Sequence, residues 1–370
     1  MKKAGLIIFG LAFGLALLEV SMRLLHYPVP LFRYDSETGL KMLKPNYTEG
    51  FTVHTGCFSN EVAVNNFGFH DVGFTLEKPP NTFRIAIVGD SYTQALEVLL
   101  PLTFHRILED KLNAGFSPRK FEIYTFGMRG NATIDNWLYF EKYAKRFKPD
   151  LVIDMFFDNN DINDPSGGVG DKQLVGLYGY PDSKHPDSYI IKTYRPSFMG
   201  GIASWFADRF VVADVLRSQY YFYKAKIGLW LNPQQSEQNN ALPSANLVAQ
   251  KSEYDTELGI ESKIMPMFKK SVEESGSKFL VVSFKWFSPS PQKDEGEYAD
   301  RAEIAAEILD KITDKAWRLS LEDSLSKRFI EEEKYPFLDC DIHWNAAGHQ
   351  MVAELMFDFL KSHHELLGIK

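Results

Sequence analysis

Arg84-Ile85-Ala86-Ile87-Val88-Gly89-Asp90-Ser91-Tyr92-Thr93 is the stretch whose reading decides the fold. A β-branched, apolar run closed by glycine is the pattern of an inner strand that stops in a tight turn. In an open α/β sheet, ligands gather at the carboxyl ends of the strands. Ser91 therefore stands where a nucleophile is useful. Its chemistry depends on whether the chain also supplies a base, a carboxylate to orient that base, and donors for an oxyanion.

Outward from this stretch the pattern repeats. Helical spacing of Phe104, Ile107, Leu108 and Leu112 predicts a helix over 104–114. A second strand is expected over 121–126, closed by Gly127-Met128-Arg129-Gly130, then a long helix from about 134 to 147, ended by Pro149. A third strand, 150–157, runs into Asp158-Asn159-Asn160-Asp161. Alternating strands and helices at this spacing favour a parallel sheet with right-handed crossovers. The pattern breaks over about 163–255 and resumes with a helix at 258–275, a strand at 278–284, a helix at 299–321 and a terminal helix at about 346–360. Within the break, Trp205, Phe206, Phe210, Tyr220, Tyr221, Phe222 and Tyr223 form an aromatic section. It reads first as helix core, and otherwise as the lining of a sugar or acyl site in a lid region.

The chain has 370 residues, a net charge of −8, 45% hydrophobic and 14% aromatic residues. These numbers allow a large core and argue against a nucleic-acid partner, which needs a basic face. Lys2 and Lys3 precede an apolar run that begins at Ala4, and Glu19 and Arg23 are spaced to pair on a continuing helix. Ala4 to Leu25 is long enough to cross a bilayer at about 1.5 Å per residue. The run reads as an uncleaved signal anchor that sends the body to the extracytoplasmic side; a cleaved signal sequence is the alternative. The two cysteines, Cys57 and Cys340, are either one disulfide of an oxidising compartment or two buried thiols. Nothing has zinc-ligand spacing, and no metal or cofactor is expected. Asp158, Asp161 and Asp164 lack the glycine and final glutamate of a calcium loop and are expected to make turn hydrogen bonds.

Ser91, the Gly127–Gly130 segment and Asn160–Asp161 each follow a strand, and His343 precedes the last helix. Parallel strands put their carboxyl ends on one rim, so these groups can converge. Gly89-Asp90-Ser91, Gly130-Asn131-Ala132-Thr133, Asn160-Asp161 and Asp341-Ile342-His343 resemble, in order, the blocks of the SGNH/GDSL hydrolase superfamily. The resemblance implies Ser91 as nucleophile, His343 as general base and Asp341 as its orienter. The oxyanion hole would combine the Ser91 and Gly130 backbone N–H groups with the Asn160 side chain. Two positions depart from the commonest pattern: Asp158 stands where the third block usually begins with glycine, and Cys340 stands three residues before His343. The Asp-x-His arrangement is similar to that of polysaccharide O-acetyltransferases and esterases in the superfamily, with Asp339 as the other candidate orienter. Thr93 excludes the α/β-hydrolase elbow, which needs glycine there. His349 is expected to pack or cap the last helix.

The expected architecture is a three-layer α/β/α sandwich with a flavodoxin-like parallel sheet: residues 1–26 an anchor, 27–80 an irregular, partly β extension, and 81–370 the hydrolase-like domain with its insertion. The function this implies is an exported serine esterase removing O-acyl, chiefly O-acetyl, groups from a cell-envelope or secreted polysaccharide. The partners implied are an acylated carbohydrate or other ester and the membrane. The rivals are an O-acyltransferase using the same acyl-enzyme and a catalytically silent carbohydrate-binding scaffold.

Overall fold

The structure, a computed structural model, describes residues 2–25, 31–34, 40–47, 50–52, 57–158, 161, 177–182, 185–193, 198–207, 209–217, 219–220, 223, 264–287, 309–310 and 317–369. The chain divides into two units, one of residues 1–33 and 195–251, the other of residues 34–194 and 252–370. In the first unit, α1 (Lys2–Leu24) includes a 20-residue stretch, Gly5–Leu24, that is long and apolar enough to cross a membrane.

The second unit is built on a five-stranded sheet. Its strands are β1 (Thr82–Gly89), β2 (Lys120–Gly127), β3 (Leu151–Phe157), β4 (Lys278–Phe284) and β5 (Arg318–Ser320). All neighbours pair in parallel, in the order β5-β4-β3-β1-β2. This is the doubly wound, flavodoxin-like order, whose switch point lies between β1 and β3. Strands buried on both faces are apolar on both, which is why β1 and β3 read as apolar runs, each interrupted by a single charged residue, Arg84 and Asp154.

Alternate side chains go to opposite faces. Ile85, Ile87, Ile123, Ile153, Met155 and Val282 join a core with Phe104, Leu108 and Leu112 of α2 (Phe104–Gly115) and with Met351, Val352 and Met356 of the C-terminal helix (Ala346–Ser362). On the other face Phe126 meets Phe69 at 5.0 Å between ring centroids, and Phe279 meets Phe268, which meets Phe140 of α3 (Thr133–Lys142).

Several elements differ from their sequence expectation. The helix expected over 134–147 is α3 followed by a separate 3-10 turn, Ala144–Phe147. Residues 318–320, expected to be helical, form the edge strand β5, which pairs with β4. Three residues carry too little alternation to reveal a strand. A further helix, α4 (Glu322–Glu332), follows directly, and the C-terminal helix (Ala346–Ser362) is α5.

A basic residue lies inside the sheet. Arg84 is fully buried, donating to Glu122 Oε2 at 2.6 Å and to the carbonyls of Phe147 and Glu77, and its guanidinium lies 4.7 Å from the Tyr124 ring centroid. Removing one member of a buried, hydrogen-bonded set leaves its partners unsatisfied. Arg84→Ala is expected to lower stability by about 2–4 kcal/mol in urea unfolding; an unchanged unfolding midpoint would show that these bonds add nothing.

Candidate active site

The turn after β1 is made by close backbone approach. A Cβ on Gly89 would stand 2.9 Å from Met155 Cβ, and one on Gly127, its register partner on β2, 2.5 Å from the Gln94 backbone nitrogen. The chain then turns into one helical turn, Ser91–Gln94, where the Asp90 side chain accepts from Tyr92 N–H at 2.9 Å. Ala95, in the left-handed region at φ 53°, closes it by donating to Ser91 O. Ser91 is left half-buried at the end of β1, beside the switch point.

The loop before α5 brings the imidazole. Phe337 bridges Trp344, Leu338 N–H donates to His343 O, and Asn345 caps α5 by accepting from Gly348 N–H. The Tyr92 hydroxyl donates to Ile342 O at 2.6 Å, and its ring packs on His343, Trp344, Phe157 and Phe284. The residue after Ser91 thus docks the loop that carries His343.

The result is a continuous relay. His343 Nε2 lies 2.7 Å from Ser91 Oγ, and His343 Nδ1 lies 2.7 Å from Asp341 Oδ1. Asp341 makes this contact, while Asp339 is exposed. Burial disfavours the charged imidazole, but the Asp341 hydrogen bond and the nearby charges of Glu97, Asp341 and Asp90 outweigh it, so the His343 pKa lies above its ordinary value. The His343 bond, opposed by burial, holds Asp341 below the usual carboxylate range. This geometry suits a neutral imidazole taking a proton from a hydroxyl, with the carboxylate fixing its tautomer.

Sequence reasoning missed Glu97. Its carboxylate is almost fully buried, with Oε1 3.8 Å from His343 Nδ1 and 3.9 Å from Arg129 Nη2. Burial raises its pKa, against the pull of His343 and Arg129. No spacing rule reveals it, because the left-handed turn at Ala95 brings it back toward the site.

The residues after β2 form a turn in which Gly130 takes φ +79° and Asn131 N–H donates to Met128 O. Met128 N–H and the Asn131 side-chain amide both donate to Gly89 O, at 3.0 and 3.3 Å, which holds this turn against the end of β1. Asn160 lies outside the described residues, as do Asp164, Tyr221 and Phe222. Asp161 accepts from Phe157 N–H and the Thr133 hydroxyl, each at 2.8 Å. Asp158 departs from expectation: both its carboxylate oxygens are buried without a hydrogen bond. Burial, with the Glu322 charge adding to it and Lys285 opposing, pushes its pKa well up. His349 is buried, accepts from Phe104 N–H at 3.2 Å and has its pKa pushed down to about 3 by burial, so it packs as a neutral ring. No cluster suited to a metal ion occurs among the described residues.

The segment before β1 clamps the turn that carries Ser91. His70 Nδ1 bonds Gln94 O, and Asn60 donates to the carbonyls of Leu96 and Glu97. Cys57 and Cys340 form a disulfide with Cα atoms 5.8 Å apart. It joins this segment to the residue immediately before Asp341. Beside it is a cleft of about 320 Å³ lined by Trp286, Tyr335, Leu338, Asp339, Cys340, Asp341 and Ile342.

No protein-family model matches the sequence, and no curated protein matches it. Among solved structures, the chain is similar to a GDSL-like lipase from Parabacteroides merdae, with 11% identity over 78% of this chain and 96% of that one and a TM-score of 0.39. It is also similar to an acetylxylan esterase from Geobacillus stearothermophilus, with 12% identity over 75% and 94% and a TM-score of 0.41. A third similar structure is an esterase from Pseudoalteromonas, with 10% identity over 76% and 98% and a TM-score of 0.39.

Two outcomes follow from the geometry. The folded chain favours protonated His343, so its stabilising contribution is fully present below the unfolded value near 6.5 and is lost as pH rises through the higher folded value. In NMR titration the His343 ring is expected to titrate above 6.5, and Asp341→Asn to move it down; titration at or below 6.5 in the unaltered chain contradicts this electrostatic picture. Cys57→Ser is expected to reduce stability by about 2–5 kcal/mol in chemical unfolding, because the bridge closes a very long loop.

Proposed function

We propose that the protein is a serine ester hydrolase that removes short O-acyl groups, chiefly O-acetyl, from a cell-envelope or secreted polysaccharide. The observation that carries this reading is the unbroken Ser91–His343–Asp341 relay, with 2.7 Å at each link. A silent scaffold has no use for a half-buried hydroxyl aligned on an imidazole whose other nitrogen faces a carboxylate.

In this reading His343 Nε2 takes the Ser91 proton as Oγ bonds the acyl carbon. The tetrahedral oxyanion is held by the Ser91 and Gly130 N–H groups and the Asn160 amide, each donor worth about 2.7–4 kcal/mol in kcat. The imidazolium then protonates the departing sugar alkoxide, leaving an acyl-enzyme. Water, deprotonated by His343, attacks the acyl carbon, and collapse releases the acid and restores Ser91. Asp341 keeps the tautomer that makes both steps possible.

The cleft beside Asp341 supports the substrate class. About 320 Å³ is at the small end of ligand sites, and Trp286 and Tyr335 offer aromatic surface to a sugar ring. Two features support export: a membrane-length apolar helix behind Lys2 and Lys3, and a disulfide suited to an oxidising compartment. The body then lies on the extracytoplasmic side, held by α1.

Ser91→Ala and His343→Ala are each expected to lower kcat on a short acyl ester by about 10⁴–10⁶-fold. The acidic limb of kcat/KM should follow the raised His343 pKa. Acetate release from an O-acetylated oligosaccharide should exceed cleavage of long-chain esters. Undiminished turnover by Ser91→Ala overturns the mechanism, and a preference for long acyl chains overturns the substrate class.

A further inference from the structure

The first unit carries an apolar surface that the hydrolase reading does not use. In the helix Phe198–Ala207, Met199, Ile202, Ala203 and Phe206 fall at i, i+3, i+4 and i+7, with Phe210 one turn further on. That spacing makes one stripe along a helix. These side chains are exposed, and so are Trp205, Leu216, Tyr220 and Tyr223. The sequence expectation that this aromatic section is core is therefore corrected for the described residues: the stripe points outward.

Contacts within the unit say what covers it. The Glu19 carboxylate of α1 accepts from Val211 N–H at 3.1 Å and Val212 N–H at 3.0 Å, and pairs with Arg23 at 2.7 Å. Arg23 in turn donates to Arg209 O at 2.8 Å. The segment is thus bolted to the last turns of α1. At about 1.5 Å per residue, Glu19 lies roughly 9 Å beyond the middle of α1, inside the outer edge of a hydrocarbon layer about 30 Å thick. A carboxylate at that depth needs internal partners, and the backbone at 211–212 supplies them. Residues 209–212, which directly follow the stripe, therefore share the surroundings of the outer end of α1. The composition agrees: Trp and Tyr favour the membrane–water boundary, and Arg209 stacks 4.3 Å over the Trp205 ring while its side chain bonds Trp205 O.

We propose that the helix Phe198–Ala207 and the described residues 209–210 after it lie in the outer interface of the bilayer that α1 spans, with Met199, Ile202, Phe206 and Phe210 seated among phospholipid acyl chains. The inference rests on the anchor reading above. Attachment then uses two elements, a spanning helix and an interfacial helix held together through Glu19, and their joining fixes the rotation of α1 relative to the surface.

The test uses the full chain in phosphatidylethanolamine–phosphatidylglycerol bilayers, with a nitroxide at a single introduced cysteine. The chain's two native cysteines are bonded to each other. Ile202→Cys and Phe206→Cys report the stripe from two positions, so that one disturbed site does not decide the result. Leu11→Cys reports the span, and Lys327→Cys, on exposed α4, reports water. Collision with oxygen relative to a nickel chelate is expected to shift at both stripe sites from the Lys327 value toward the Leu11 value. Lipid-like collision at Leu11 with water-like collision at both stripe sites overturns this inference and leaves the anchor standing. Water-like collision at Leu11 as well removes the anchor and the inference together. Loss of both reagents with dipolar broadening shows a second copy on the stripe and also overturns it.

Discussion

The bond between His343 Nε2 and Ser91 Oγ joins residues 252 positions apart, and the second unit is arranged to make it possible. Its two ends arrive by different routes. Ser91 is delivered by β1 at the sheet's switch point, through a turn that only glycine at 89 and 127 leaves room for. His343 is delivered by a loop closed on itself by the Phe337–Trp344 bridge and the Asn345 cap. Tyr92 ties the routes together, since its ring fills the space under the imidazole and its hydroxyl holds Ile342 O. The disulfide adds a covalent tie one residue before Asp341. Such redundancy is what a site needs when sub-ångström placement decides proton transfer.

Electrostatics around the relay favours charge on the imidazole. Burial alone would keep His343 neutral, yet Asp341, Glu97 and Asp90 together raise its pKa. An imidazole that readily accepts a proton suits the base step, and Glu97 adds negative potential without the hydrogen bond that Asp341 makes. Asp154, deeper under the turn, has its pKa raised to about 7 by burial and by Asp90, opposed by the Asn136 hydrogen bond, so the interior does not accumulate full carboxylate charge at neutral pH.

Much of the fold was legible because inner parallel strands are buried on both faces and cannot hide their composition. β1, β3 and β4 announce themselves as largely apolar runs in spite of Arg84 and Asp154, and the glycines at the ends of β1 and β2 mark where the chain must turn. The three-residue β5 was not legible, since an edge strand of that length has no period to read. Of the candidate site residues, the three that hydrogen bonds join, Ser91, Asp341 and His343, lie at a strand end or just before a helix and were visible by position. Glu97 was not, because its place depends on the left-handed turn at Ala95. Nor was the exposed apolar stripe, since helical spacing of apolar residues is the same whether a core or another apolar phase receives it. The orphaned carboxylate of Asp158 was likewise invisible, as burial is a property of the surroundings and not of the residue.

The central claim is that Ser91 is a nucleophile activated by His343. The most direct measurement is intact-protein and peptide mass analysis after treating the full chain with a fluorophosphonate. One adduct is expected, on the peptide carrying Ser91, with its rate rising as pH passes through the His343 titration and collapsing in His343→Ala. No adduct, an adduct on another residue, or labelling indifferent to His343→Ala would contradict the account.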